Sequence, residues 1–524
     1  MLYGIIWLLL IELIGISTFV VFLKFFNSMP DKGYSISKPL GIIFLSLISW
    51  LISLSKIVPV TEATAGILLI SLVTCSGLIG AVKWRFIKQV VANNCRIILL
   101  IEIVFILTYL IFFAIRYLDP GINHTEQPMD FAFLNASINT HMGEPLDPWF
   151  KGEKISYYYF GYWIFGTLTK ISQLPSFATY NLALATIPAL TASILFALTA
   201  MFLKISRHRF DLSVIACSVL ATSCGILMAN LQGILEFFRI NSVGSVGFWK
   251  TICIDGMQNP VMNSVDSWRP TEFWWWFKTS RVINYFGPTC EGEGLDYTIN
   301  EFPFFSYLLG DLHPHVMVTP FLLVFLYLVY NLYKQNAPIQ PNVSYWTKVG
   351  IIGASLGCVC FINMWMLPVC VSVLAGVFLL SWLSPKSFNS ITLVKSIFFI
   401  MGLSILILLP YFWSFQSSVN GLTRSAFQTS GIHGFIVWGP LFILCLPQVI
   451  WSFSTTTIGK TWKSDISFSI AITGLPWLIR FLIPASNVSS EANSMINFAI
   501  PVTIFFFISN LTLLNLTRRE GLTS

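Results

Sequence analysis

Residues 97–116 read IILLIEIVFILTYLIFFAIR, and residues 117–130 continue YLDPGINHTEQPMD. The first stretch is almost unbroken Leu, Ile, Val and Phe, with no alternation of polar and apolar positions. It has the length that an α-helix needs to cross a hydrocarbon core of about 30 Å. Backbone groups in lipid must be satisfied within the spanning structure, so only helices and closed barrels can cross. A barrel strand would show period two, and this run does not, so the helix is the form it takes. The second stretch turns abruptly polar and opens a long loop.

The same pattern recurs along the chain. Apolar runs at 3–23, 40–55, 63–82, 97–116, 178–203, 212–235, 303–332, 349–364, 367–383, 391–413, 434–453, 466–483 and 496–516 make thirteen candidate spans. The aromatic stretch 157–173 is either a fourteenth or a helix lying along the interface. The first run begins almost at Met1 without a basic flank, so it reads as a true span and not as a cleaved leader. Composition agrees: 55% of the 524 residues are hydrophobic and 10% charged, against about 25% charge in a soluble domain. The fold class is therefore all-α, a polytopic transmembrane helical bundle of about 13–14 spans. Two long outer loops, 117–156 and 236–302, are expected to contain short helices.

The net charge of +7 comes from short loops between spans. Lys83, Arg85, Lys88 and Arg96, then Lys204, Arg207 and Arg209, then Lys334 and Lys348, Lys460 and Lys463, and Arg518 and Arg519 fall on one side. That is the positive-inside pattern, not a nucleic-acid footprint. It predicts a multi-pass protein of the cell membrane with its N-terminus outside and its C-terminus cytoplasmic, provided 157–173 does not cross. Ten cysteines are present. Cys253 and Cys290 share the second outer loop, where a disulfide can form. The other eight sit in or beside apolar runs, as small core residues do.

Candidate chemistry collects in the two loops. In Glu126-Gln-Pro-Met-Asp130, Pro128 suits the first turn of a helix and places Asp130 in it. Asp130, with Glu126 beside it, either meets the helix dipole or serves as a general base at the outer face. The run Tyr157-Tyr158-Tyr159-Phe160-Gly161-Tyr162-Trp163 is either an interfacial anchor or a stacking wall for a sugar or isoprenoid. Trp275, inside the tryptophan run 274–276, belongs with it. Asp311, His313 and His315 crowd the end of the second loop. They are candidate ligands for a divalent metal such as Mn or Mg, or interfacial hydrogen-bonding groups. Arg281 can neutralise a phosphate, and Arg480 lies near the outer end of its span. Glu12 and Glu102 stand inside spans, where ionisable residues are functional candidates or polar contacts between helices. No Walker A loop, Gly-rich dinucleotide fingerprint or HExxH motif occurs, so nothing supports ATP-driven transport.

The stretches EQPMDFAFLNA, DPW…YYYFGYW and EFPFFSYLLGDLHPH, in that order, resemble the Chlor-Arch-YYY family of membrane proteins over roughly residues 97–450. That family is in turn similar in layout to the GT-C class of polytopic glycosyltransferases. The resemblance implies a GT-C-like core over 97–524 preceded by a three-span bundle over 1–96. It implies a catalytic acid in the first outer loop, at Asp130, and a polyprenyl-phosphate-linked sugar as donor. Met366 departs from the pattern, which carries an acid there, and 491–500 reads EANSMINFAI without the family's basic residue. The function expected is sugar transfer to an acceptor at the outer face. The alternatives are a transporter or flippase for a lipid-linked or anionic solute, with Glu12 and Glu102 as coupling groups, or a non-catalytic member.

Overall fold

A computed structural model gives the arrangement of the chain. It describes residues 1–26, 29–207, 211–258, 269–270, 273–285, 290, 296–335, 341–383, 389–416, 429–455 and 502–509, with isolated helical positions between 466 and 482. The helices in chain order are α1 (Leu2–Phe22), α2 (Tyr34–Ser55), α3 (Glu62–Leu118), α4 (Gln127–Asn139), α5 (Phe160–Ser172), α6 (Ser176–Arg207), α7 (Leu212–Leu227) and α8 (Gln232–Ile240). They continue with α9 (Val246–Ile252), α10 (Pro303–Leu309), α11 (Pro314–Met317), α12 (Thr319–Gln335), α13 (Val343–Ile362), α14 (Leu367–Leu383), α15 (Ser390–Ser414) and α16 (Gly431–Thr455). The only strands among the described residues are Asn284–Tyr285 and Asp296–Tyr297, paired antiparallel. The chain is an all-α polytopic bundle.

Among the described residues seven helices are long and apolar enough to cross a membrane, and α7 with α8 makes an eighth if the pair is one span. Several expected spans take another form. The runs 63–82 and 97–116 are one 57-residue helix, α3, interrupted only at Lys83 (φ −112°, ψ 20°). The expected cytoplasmic loop 83–96 is thus helical. It holds neither Gly nor Pro, and its long side chains favour helix despite their charge. The run 303–332 is broken at Gly310, whose φ is +76°, and restarts at Pro314. The described parts of α14 and α16 are shorter than a span. The runs 466–483 and 496–516 lie largely outside the described residues.

The chain divides into two compact units. One holds Met1–Leu227, Ser306–Trp382 and Ser387–Ser417, and the other holds Met228–Phe305, Leu383–Lys386 and Ser418–Ser524. The boundary expected after residue 96 falls inside α3, within the first unit. In that unit the core is formed by α2, α5, α6, α12 and α13. The outermost helices turn large apolar side chains outward: Leu2, Ile5, Leu9, Leu13 and Ile16 on α1, and Phe398, Ile405 and Trp413 on α15. Apolar faces of this extent need lipid and not water as their solvent.

Helix α5 answers the question left by 157–173. Its 13 residues reach about 20 Å at 1.5 Å per residue, too short to cross. Phe160 to Lys170 are buried without a break, so it packs inside the protein on all sides. Trp163 Nε1 donates to Ser49 Oγ at 2.8 Å, and Lys170 Nζ donates to the carbonyls of Val60 and Thr140, both at 2.7 Å.

The second unit has its own small core of Trp249, Ile252, Ile254, Met257, Val282 and Ile436. The Cys253–Cys290 disulfide is formed there, with an S–S distance of 2.05 Å.

Candidate functional site

The site grows from two interruptions of helix. Pro128 starts α4, as the sequence predicts, and places Asp130 in its first turn. Gly310 ends α10 in the left-handed region, and His313 is extended (φ −83°, ψ 151°) before Pro314 opens α11. A Cβ at Gly310 would stand 2.7 Å from Arg116 Nη1, so both the conformation and the close approach require glycine. Gln127 joins the two interruptions. Its Nε2 donates to the Leu309 carbonyl at 2.9 Å, and its Oε1 accepts from the amides of Asn123 and His124.

Asp130 is fully buried. Its Oδ1 accepts a 2.5 Å hydrogen bond from the Tyr162 hydroxyl. Its Oδ2 accepts none among the described residues and lies 3.6 Å from His313 Nδ1. That same nitrogen is 3.1 Å from Glu126 Oε2, whose side chain is 57% exposed. His313 Nε2 faces the Tyr157 hydroxyl at 3.2 Å. One imidazole therefore stands between a buried carboxylate, a solvent-facing carboxylate and a phenol.

The electrostatics follow from burial and these neighbours. Burial works against the charged imidazole, but Asp130, Glu126 and Asp311 outweigh it and raise the pKa of His313. Burial, reinforced by Asp130, holds the Tyr162 phenol far above its ordinary range, so it stays a donor. Tyr157 is raised in the same way by burial, then by Asp130 and Glu126.

An aromatic wall leads away from this cluster. Phe133 stacks on Tyr157 with centroids 5.9 Å apart and meets Trp149 edge-on at 5.5 Å. Trp149 is exposed, and its amide is held by Asp147 Oδ1 at 2.8 Å. Of the triple tyrosine, Tyr157 faces the site and Tyr158 packs against it at 5.3 Å. Tyr159 belongs to the core, accepting from Trp50 Nε1 at 3.1 Å.

The expected metal trio does not assemble. Asp311 accepts from Thr125 Oγ1 at 2.7 and 2.8 Å, and His315 Nε2 faces Ser306 Oγ at 3.3 Å. His313 turns to Glu126 and Asp130. Pro314 is the reason: it leaves His313 in extended chain and puts His315 inside a helix. Among the described residues no group of three His, Cys, Asp or Glu side chains is disposed to hold a metal.

Trp275 and Arg281 lie in the second unit, on the 3-10 segment Phe273–Arg281. Trp275 is half-buried. The Arg281 guanidinium lies 4.6 Å from the Phe277 ring centroid and donates to Ser280 Oγ at 2.6 Å. Arg480 lies outside the described residues. Glu12 and Glu102 meet on the buried Lys38 Nζ, at 3.1 and 2.5 Å, an ion cluster with partly exposed carboxylates that fastens α1, α2 and α3. Sequence reasoning does not single out Thr125, Phe133 or Trp149, and it places Tyr162 only within the aromatic run, not as the partner of Asp130. Tyr162 and Asp130 are 32 residues apart, and no local pattern announces such a pairing.

A family model described as "Uncharacterized membrane protein (DUF2298)" matches residues 44–520. The chain belongs to this family. The DUF2298 match begins inside α2 and includes every residue of the cluster around Asp130. No curated protein and no solved structure matches the chain.

Proposed function

We propose that this DUF2298 protein is a membrane glycosyltransferase that moves a sugar from a polyprenyl-phosphate-linked donor to an acceptor at the outer membrane face. The observation that carries this reading is the state of Asp130. One oxygen is fixed by Tyr162, while the other is buried, accepts no hydrogen bond among the described residues and faces His313. A buried carboxylate oxygen without a donor is costly, and an acceptor hydroxyl would satisfy it. Asp130 then takes the hydroxyl proton as the oxygen attacks the anomeric carbon. The bond from that carbon to the phosphate oxygen breaks, and polyprenyl phosphate leaves. His313 and Glu126 orient the acceptor, and Tyr157, Phe133 and Trp149 offer it an aromatic face.

The outer-face assignment is supported by the Cys253–Cys290 disulfide, since such bonds persist in oxidising compartments. The support for GT-C likeness is layout alone: an acidic residue in the first long loop followed by an aromatic-rich helix. The transport reading draws less support, because both of its carboxylates are engaged by Lys38. The test compares membranes of cells making wild-type protein or Asp130→Asn by mass spectrometry of lipid-linked sugars and glycoconjugates. The variant is expected to accumulate donor and lack product; wild-type profiles would remove the base assignment.

A further inference from the structure

Helix α8 is built inside out. Ile234, Phe237 and Phe238, at helical spacing on one face, are 52%, 41% and 40% exposed. The opposite face carries its polar groups inward. Gln232 and Glu236 are buried, and Glu236 takes two hydrogen bonds from Arg239, at 2.6 and 3.0 Å. A helix in water shows the reverse arrangement. Gly244 (φ +99°) turns the chain, and Val243, Val246 and Phe248 extend the exposed apolar face.

We propose that the face formed by Ile234, Phe237, Phe238, Val243, Val246 and Phe248 is a membrane-interface anchor that lies against lipid at the level where headgroups meet acyl chains. Three observations select lipid as the occupant. The charged pair points into the protein, so the medium outside the helix is apolar. The face carries only Ile, Phe and Val, so it inserts by apolar contact and not by attraction to anionic headgroups. Only four residues of sequence separate α8 from α7, an apolar helix. The 9 residues of α8 reach about 14 Å, far short of the roughly 30 Å core, so by itself the helix lies along the interface instead of crossing. The anchor is independent of the reaction proposed at Asp130.

The test places a coumarin-bearing amino acid at position 237, and separately at 238, in the full chain reconstituted into phosphatidylcholine vesicles. The vesicles carry nitroxide-labelled lipid, either near the headgroup or near the chain end. Both positions are expected to be quenched, more strongly by the shallow nitroxide. Stronger quenching by the deep nitroxide would overturn the interfacial placement. Emission from a polar medium without quenching would overturn lipid contact. A probe shielded from water yet unquenched would mean that a partner protein or a second copy covers the face, and would overturn it equally. Using two positions, each checked by size-exclusion elution, separates a probe that misfolds the chain from a failed proposal.

Discussion

At the scale of single residues, Tyr162 and His313 hold Asp130. Tyr162→Phe removes the donor to Oδ1 and leaves a second buried oxygen unpaired. A hydrogen bond to a charged group is worth about 1.5–3 kcal/mol, and a loss of stability of that order is expected in thermal unfolding. His313 carries the sign of a stabilising imidazolium, because its pKa is raised. That contribution is fully present below the ordinary value of about 6.5 and is lost as pH rises through the folded value. Glu126→Gln removes one of the charges responsible, so the His313 midpoint is expected to fall in a histidine NMR titration. An unchanged midpoint would separate Glu126 from the imidazole. Gly310→Ala forces a methyl group toward Arg116 in a left-handed conformation and is expected to cost about 1–3 kcal/mol. The sequence makes Asp130, Glu126 and His313 visible, because polar residues beside a proline at the edge of an apolar run stand out. It hides Tyr162, because one tyrosine among many aromatic residues gives no local sign of a carboxylate partner 32 residues away. It also groups Asp311 with the histidines; the three stay near one another, with the His313 and His315 rings 5.4 Å apart, but the hydrogen bonds of Asp311 and His315 go to Thr125 and Ser306.

At the scale of elements, charge misleads where helix propensity decides. Residues 83–96 read as a loop because they are basic, yet α3 runs through them, and Ile87 and Val90 pack on Phe19 and Leu23. The triple tyrosine reads as an interfacial belt because aromatic residues gather there. Helix α5, which follows it, is wrapped by its neighbours, while Tyr157 and Tyr158 stay half-buried. The ion cluster of Glu12, Lys38 and Glu102 is legible only as three separate oddities inside spans. Lys38→Met leaves two carboxylates facing each other without a cation, and removing one partner of a buried pair costs about 3–5 kcal/mol. The melting temperature is expected to drop for that variant and to recover in the triple variant Glu12→Gln, Lys38→Met, Glu102→Gln. A triple variant no more stable than Lys38→Met would argue against charge as the cause.

At the scale of the whole molecule, hydropathy makes the all-α membrane architecture legible, because lipid forbids irregular backbone that is not otherwise satisfied. Span boundaries are less legible, since the break at Gly310 goes with a close approach to Arg116 and the one at Lys83 falls at neither Gly nor Pro. The proposed sidedness draws its support from the basic clusters and from the disulfide of the second unit. A membrane-impermeant reductant added to intact cells is expected to open Cys253–Cys290 and make both cysteines alkylatable; protection until the cells are lysed would reverse the assigned orientation. In the proposed reaction Asp130 removes a proton during sugar transfer. The direct measurement is turnover by the purified full chain in vesicles, following consumption of a prenyl-phosphate hexose in wild type and Asp130→Asn. A general base contributes about 10²–10⁴-fold, so the variant is expected to lose at least about a hundredfold in rate while Tyr157→Phe retains measurable turnover. Equal rates in wild type and Asp130→Asn would contradict the account.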